Sequence, residues 1–232
     1  MIKGFRGTSL VDFPGQIAAV VFLGGCNFRC PFCYNVDLVL PERLRRLPSL
    51  APEEVLEELH RREGFISGLV VTGGEPTLHS RHLRHFLEMV RSETDLALKL
   101  DTNGSSPEVI QEFLDAELLD YVAVDLKTSP ERYEELGGRF EPVEETISLL
   151  STRGVSFELR ITAVPAFVGF QELESMLPFL EKAPRVAIQR FMNEFERLRP
   201  ELDLGLYGPE ELKGFRDFLA SRLPGEVLLR HV

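Results

Sequence analysis

Cys26, Cys30 and Cys33 are the only cysteines in a chain of 232 residues. They stand in the stretch Cys26-Asn27-Phe28-Arg29-Cys30-Pro31-Phe32-Cys33-Tyr34-Asn35, at a spacing of C-x3-C-x2-C. Gly24 and Gly25 precede them, behind the apolar run from Ile17 to Leu23. A strand that delivers a tight loop can bring such thiols together on one object. Structural zinc normally takes four protein ligands, so three thiolates are an odd complement for it. A 4Fe–4S cluster held by three thiolates keeps one iron open to a small molecule. A zinc-bound or free cysteine cluster is the blander alternative. A disulfide framework suits neither the odd number nor a chain long enough to bury a full core.

Three more polar clusters recur along the chain, and each follows a predicted strand. Gly68 to Thr72 leads into Gly73-Gly74-Glu75-Pro76, and Leu96 to Leu100 into Asp101-Thr102-Asn103-Gly104. Tyr121 to Val124 leads into Asp125-Leu126-Lys127. Strands are also expected over Ile17 to Leu23, Val155 to Val164 and Val186 to Phe191, with a terminal one over Glu226 to Val232. Helical spacing fills the intervals, as in Leu83, Phe86, Leu87 and Val90, and Pro52 with Glu53 and Glu54 opens a helix. Alternating strands and helices mean parallel pairing with right-handed crossovers. A full eight-unit barrel needs about 250 residues, so six units here predict an open, partial parallel (β/α)6 barrel. In such a fold every strand's C-terminal end lies on one rim, which gathers the polar clusters into a site. Each also has a plain reading: a turn for Gly-Gly-Glu-Pro, a helix cap for Asp101, a solvated side chain for Lys127. Arg160 lies inside an apolar strand and needs an anionic partner there. A bound carboxylate, Glu158 or Asp125 can each supply it.

The C-x3-C-x2-C spacing, with Phe32 before the last cysteine, resembles the signature of the radical S-adenosylmethionine (SAM) enzymes. In that family the open iron chelates SAM, and one electron cleaves it to methionine and a 5′-deoxyadenosyl radical. Gly73-Gly74-Glu75-Pro76 resembles the family's GGEP motif. Leu100-Asp101-Thr102-Asn103-Gly104, Asp125-Leu126-Lys127 and the lead-in Gly7 to Gly15 resemble segments of the glycyl-radical-enzyme activases. The likeness spans residues 1 to about 165. It implies a radical SAM oxidoreductase that abstracts a glycine Cα hydrogen in a partner glycyl-radical enzyme. Anaerobic ribonucleotide reductase is the partner expected, with a flavodoxin or ferredoxin as electron donor. The implied cofactors are a 4Fe–4S cluster on Cys26, Cys30 and Cys33, SAM, and a monovalent cation. Phe32, Tyr34, Gly73, Gly74, Glu75, Asp101, Thr102, Asn103, Asp125, Lys127 and Arg160 are the implied SAM-binding residues, with Gln189, Arg190 and Met192 as further SAM or substrate contacts. Asp101, Thr102 and Asp125 would hold the SAM carboxylate through the cation, or Lys127 would supply the positive charge itself. The chain departs from the pattern at Tyr34, where members often carry histidine, at Gln16-Ile17, and in lacking a histidine near Gln189 to Met192. A radical SAM enzyme for a small molecule, such as a modified purine or cofactor precursor, is the second reading. A non-catalytic metal or redox-sensing module is the third.

The composition is that of a globular protein, 44% hydrophobic and 27% charged, with a formal net charge of −11. That charge argues against a sequence-independent grip on nucleic acid. No apolar run approaches the ~20 residues of a membrane span, and the first residues lack a secretory apolar region. A cytoplasmic protein with a single domain over 1–232 is expected. Its parts would be a lead-in over 1–16, a barrel core over 17–192, and a C-terminal helix and strand over 193–232. The arginine-rich segment Pro41 to Pro48 reads as a solvated connector. His60, His79, His82, His85 and His231 read as surface residues.

Overall fold

The structure, a computed structural model, describes residues 1–230. In chain order its elements are β1 (Ile2–Ser9), β2 (Ala18–Leu23), α1 (Val36–Val39), α2 (Pro41–Leu44), α3 (Pro52–His60), β3 (Gly68–Gly73), α4 (Ser80–Glu93), β4 (Ala97–Thr102), α5 (Pro107–Asp115) and β5 (Tyr121–Asp125). There follow α6 (Glu141–Arg153), β6 (Ser156–Ala163), α7 (Phe170–Leu180), β7 (Arg185–Arg190), α8 (Pro209–Ala220) and β8 (Glu226–Arg230). The strands form an eight-stranded sheet in the order β1 to β8, not closed into a barrel. The six expected strands are β2 to β7. The expected terminal strand is found over Glu226–Arg230, and its last two positions, His231 and Val232, lie outside the described residues. The chain divides into two compact units.

The first unit comprises residues 1–27, 35–102 and 108–122. Here β1 runs antiparallel to β2, from Ile2 opposite Leu23 to Ser9 opposite Ala18. The lead-in expected over 1–16 therefore contains a strand. Parallel pairing then joins β2 to β3 and β3 to β4. Strand β2 is buried along almost its whole length, as its unbroken apolar sequence requires. Phe13, Ala18, Val20, Val70 and Tyr121 make a buried cluster, with Phe22 and Ala97 packed against it. Helix α4 buries Leu83, Phe86, Leu87 and Val90. Strand β4 runs two residues beyond the expected Leu100 and takes in Asp101 and Thr102. Two polar residues can end a buried strand because each has a buried partner, described below.

The second unit comprises residues 28–34, 103–107 and 123 onward. Parallel pairing joins β6 to β7 and β7 to β8, with Arg160 opposite Ala187 and Gln189 opposite Arg230. Helices α6, α7 and α8 bury Ile147 and Leu150, Leu173 and Met176, and Leu212 and Phe215. Tyr133, Phe140 and Phe179 form a chain of edge-to-face rings. Glu158 on β6 is fully buried and takes two hydrogen bonds from Arg230 of β8, at 2.9 and 2.6 Å. A buried carboxylate is held there by a fork of matching geometry.

Candidate functional site

In the first unit the chain leaves β2 through Gly24 and Gly25 to Cys26, and backbone bonds fix each step. Gly24 N–H donates to Met1 O at 3.1 Å, and Gly25 N–H to Leu38 O at 2.7 Å. The Gly24 carbonyl accepts from His79 Nε2 at 2.6 Å. His79, expected at the surface, is half-buried and braces the start of the cysteine loop.

Gly73 and Gly74 lie against that same loop. Gly73 has φ of +133°, and a Cβ there would stand 2.2 Å from Leu23 O. At Gly74 a Cβ would stand 1.9 Å from Gly25 O. Gly74 N–H donates to Leu23 O and Glu75 N–H to Gly25 O, at 2.8 and 2.7 Å. The two glycines thus let β3 approach the β2 loop closely. The Gly73 carbonyl accepts from Asn35 Nδ2 at 3.0 Å. Glu75 is fully buried. Its Oε1 accepts from Thr77 N–H at 3.0 Å, Thr77 Oγ1 at 2.7 Å and Thr102 Oγ1 at 2.8 Å. So β3 and β4 are tied at their C-terminal ends by Glu75 and Thr102. Asp101 forms an ion pair with Lys99, whose side chain is fully buried. Lys99 was not among the expected site residues. Its signal was a lysine two positions before Asp101 in an apolar strand, a spacing that puts both on one face.

In the second unit Cys30 and Cys33 close a turn, with Cys33 N–H donating to Cys30 O at 3.0 Å. Cys30 is buried, and Phe32 beside it packs on Phe167 with ring centres 5.3 Å apart. Leu198 N–H donates to Cys33 O at 2.9 Å and Arg199 N–H to Pro31 O at 3.1 Å. A segment after β7 therefore straps the cysteine turn, which nothing in its sequence foretold. Tyr34 is 44% exposed and its ring lies 5.9 Å from Phe195, itself 54% exposed. Partial burial, with Asp125 and Cys33 nearby, pushes the Tyr34 hydroxyl above its ordinary pKa.

Asp125 ends β5 and meets two cations. Its Oδ1 accepts from Arg160 Nε at 2.8 Å and its Oδ2 from Lys127 Nζ at 3.2 Å. Burial alone would raise its pKa, but Arg160 and Lys127 outweigh it and hold the carboxyl at about 2. Of the three partners expected for Arg160, Asp125 is therefore one it has, while Glu158 is held by Arg230. Asn103 is buried and its Oδ1 accepts from Ser105 N–H at 2.9 Å. At the end of β7, Gln189 and Arg190 are half-buried, as is Met192 just beyond. The Arg190 Nε is buried with no hydrogen-bond partner among the described residues.

All three cysteines are free of disulfides. Among the described residues no group of three or more His, Cys, Asp or Glu side chains is gathered on one metal-ion position. A cubane cluster does not ask for that, because each thiolate binds a separate iron. Three thiols and no fourth fit such a cluster and do not fit a structural zinc ion.

The family profile of the Radical SAM superfamily matches residues 20–175. The chain belongs to the radical SAM superfamily. A 4Fe–4S cluster and SAM are the cofactors that membership implies. A relative in Methanocaldococcus jannaschii, named "putative glycyl-radical enzyme activating enzyme", is 32% identical over 200 residues, 82% of this chain and 80% of that one. That likeness supports the activase group within the superfamily. The 7-carboxy-7-deazaguanine synthase of Hyperthermus butylicus is 39% identical over 95 residues, 41% of this chain and 38% of that one. The structure of Streptococcus suis SuiB bound to precursor peptide SuiA matches 91% of this radical SAM chain with a TM-score of 0.69, at 12% identity. This chain spans about half of that one, 48%, and the likeness is one of fold. Among the described residues no helix is long and apolar enough to cross a membrane.

Proposed function

We propose that this radical SAM enzyme activates a partner glycyl-radical enzyme, with an anaerobic ribonucleotide reductase as the partner to try first. The observation that carries the reading is the similarity to the Methanocaldococcus jannaschii protein over about four-fifths of both chains, 82% and 80%. Cys26, Cys30 and Cys33 would hold the 4Fe–4S cluster, which supplies one-electron chemistry that turns SAM into a carbon-radical source. Lys127 and Arg160 flank Asp125 with positive charge, which suits the SAM carboxylate. The unpartnered Arg190 Nε offers a further donor to an anionic group. Glu75, Gly73, Gly74 and Thr102 would keep the strand ends in register beneath the ligand. Phe32 would seat the cysteine turn, and half-exposed Tyr34 with Asn103 and Met192 would contact SAM or substrate. Glycine suits the target role because no side chain obstructs approach to its Cα, and holding one C–H bond near a reactive carbon is how selectivity arises. A flavodoxin or ferredoxin would supply the electron, in a cytoplasmic, oxygen-poor setting.

The test mixes anaerobically reconstituted protein, SAM and a reductant with the candidate reductase. A glycyl doublet in the electron paramagnetic resonance spectrum is expected. The deazaguanine-synthase match, at higher identity but over two-fifths of the chain, favours a small-molecule substrate as the second reading. No doublet with any glycyl-radical enzyme of the same organism, alongside turnover of a small molecule, would establish that one instead.

A further inference from the structure

Lys99 is a charged side chain with no exposure at all, in the middle of a core strand. On β4 it shares a face with Ala97 and Asp101, since strand side chains alternate. That face carries the cluster of Phe13, Val20, Val70 and Tyr121, and Val70 is the residue directly opposite Lys99. The lysine stem therefore starts among apolar groups and reaches forward to the strand end. There its Nζ forms an ion pair with Asp101 Oδ1, and it stands 5.9 Å from the centre of the Tyr121 ring. Asp101 itself is only 8% exposed at its side chain.

This pairing bears on the monovalent cation that the activase resemblance implies beside Asp101. A metal cation on the Asp101 carboxylate would lie a few ångströms from an ammonium in a poorly screened interior, where like charges repel strongly. Displacing the ammonium would break its buried ion pair with Asp101, which is costly. An ammonium fixed to the backbone needs no binding equilibrium to be present, whereas a free ion must be captured and stripped of water. A carboxylate already paired with a buried ammonium does not fit a captured cation. We infer that Lys99 is a built-in counter-ion that takes the place of a monovalent cation at Asp101, so that SAM binding needs neither sodium nor potassium. Lys99 is a positioning residue on this view, acting through Asp101. The SAM clause rests on the activase reading above, while the cation clause concerns the protein alone.

The experiment therefore has two arms. In the first, SAM affinity of the reconstituted protein is measured in potassium, sodium and choline chloride at equal ionic strength. The wild type should change less than about twofold among the salts. Lys99→Met should bind SAM about tenfold more weakly in choline and recover in potassium or sodium, a difference well within calorimetric reach. In the second arm, without SAM, thermal melting of both proteins is compared in the same salts. Potassium or sodium should raise the midpoint of Lys99→Met and leave the wild type unmoved. A wild type that loses SAM affinity or melts earlier in choline overturns the inference, and this needs no variant to fold. So does a folded Lys99→Met protein indifferent to the salt in both arms. Absence of SAM binding by the wild type in every salt would instead sink the activase reading, and the melting arm would still decide the cation question.

Discussion

Asp125 carries two cations on one carboxylate, so its ionisation is coupled to stability. The ordinary carboxyl value of 3.8 falls to about 2 in the folded chain, because Arg160 and Lys127 overcome the cost of burial. A depressed carboxyl stabilises the fold above its unfolded pKa, and that contribution fades as pH falls through the folded value. The shift is worth roughly 2 kcal/mol at neutral pH. Asp125→Asn should therefore lower stability by about that amount at pH 7, and the gap to wild type should narrow steadily below about pH 4. Urea melts at pH 7, 4 and 3 read the effect, and a gap independent of pH would refute the ionic account. At this scale the sequence was informative where a polar residue stood at a strand end, as with Asp101, Asp125 and Lys127. It was silent on pairings that depend on register: Arg230 reaches Glu158 across 72 positions, past an intervening strand. Lys99 escaped notice because a lone lysine in an apolar run looks like an exposed position, and only its two-residue offset from Asp101 says otherwise.

Among the elements, the decisive joint is where the end of β3 meets the loop after β2. Gly74 has no room for a methyl group, since a Cβ would fall 1.9 Å from the Gly25 carbonyl. Gly25 is bonded in turn to Glu75 and Leu38, and Cys26 comes next along the chain. Gly74→Ala should cost about 3 kcal/mol, at the upper end for overpacking, and should push the first cysteine out of place. Iron and sulfide content after reconstitution should fall further than the loss in melting midpoint explains. Full cluster content in a destabilised variant would show that the joint serves the fold alone. Most elements could be read from their periodicity: the buried apolar run of β2 and the four-residue face of α4 are where expected. Strand β1 was hidden because glycines at positions 4 and 7 and the charged Lys3 and Arg6 break its alternation. It lies at the edge of the sheet, where one neighbour suffices and bulges are tolerated, and its register shifts at two points. The short α1 and α2 are brief enough that no periodicity could mark them.

Across the whole molecule, charge and its placement bear on which surface meets a protein partner. The chain carries a net charge of −11, which argues against a broadly basic face and for meeting an acidic partner through local contacts. Arg45 and Arg46 lie just after α2 and are both exposed. The segment that carries them is not adrift: Lys3 Nζ donates to Leu47 O at 3.3 Å and to Ser49 Oγ at 2.8 Å. Leu44, one residue earlier, lies so close to Gly24 that a Cβ there would stand 2.2 Å from its Cδ1. Two exposed arginines are thus anchored beside the entry to the cysteine loop, while among the described residues neither takes part in the side-chain contacts given above for the strand ends. Reversing both, Arg45→Glu with Arg46→Glu, should weaken activation of the partner about tenfold, an effect size typical of steering by local charge. SAM cleavage in the absence of partner should stay within about twofold of wild type, since no ligand-facing group has moved. Raising the salt concentration should shrink the difference between the two proteins, because exposed charges are screened over about 10 Å at 0.1 M. The measurement is the yield of glycyl radical against partner concentration at two ionic strengths, with uncoupled 5′-deoxyadenosine release as the control. Equal loss of both activities would place the arginines in the fold of the loop, and loss of neither would move the partner surface elsewhere on the chain.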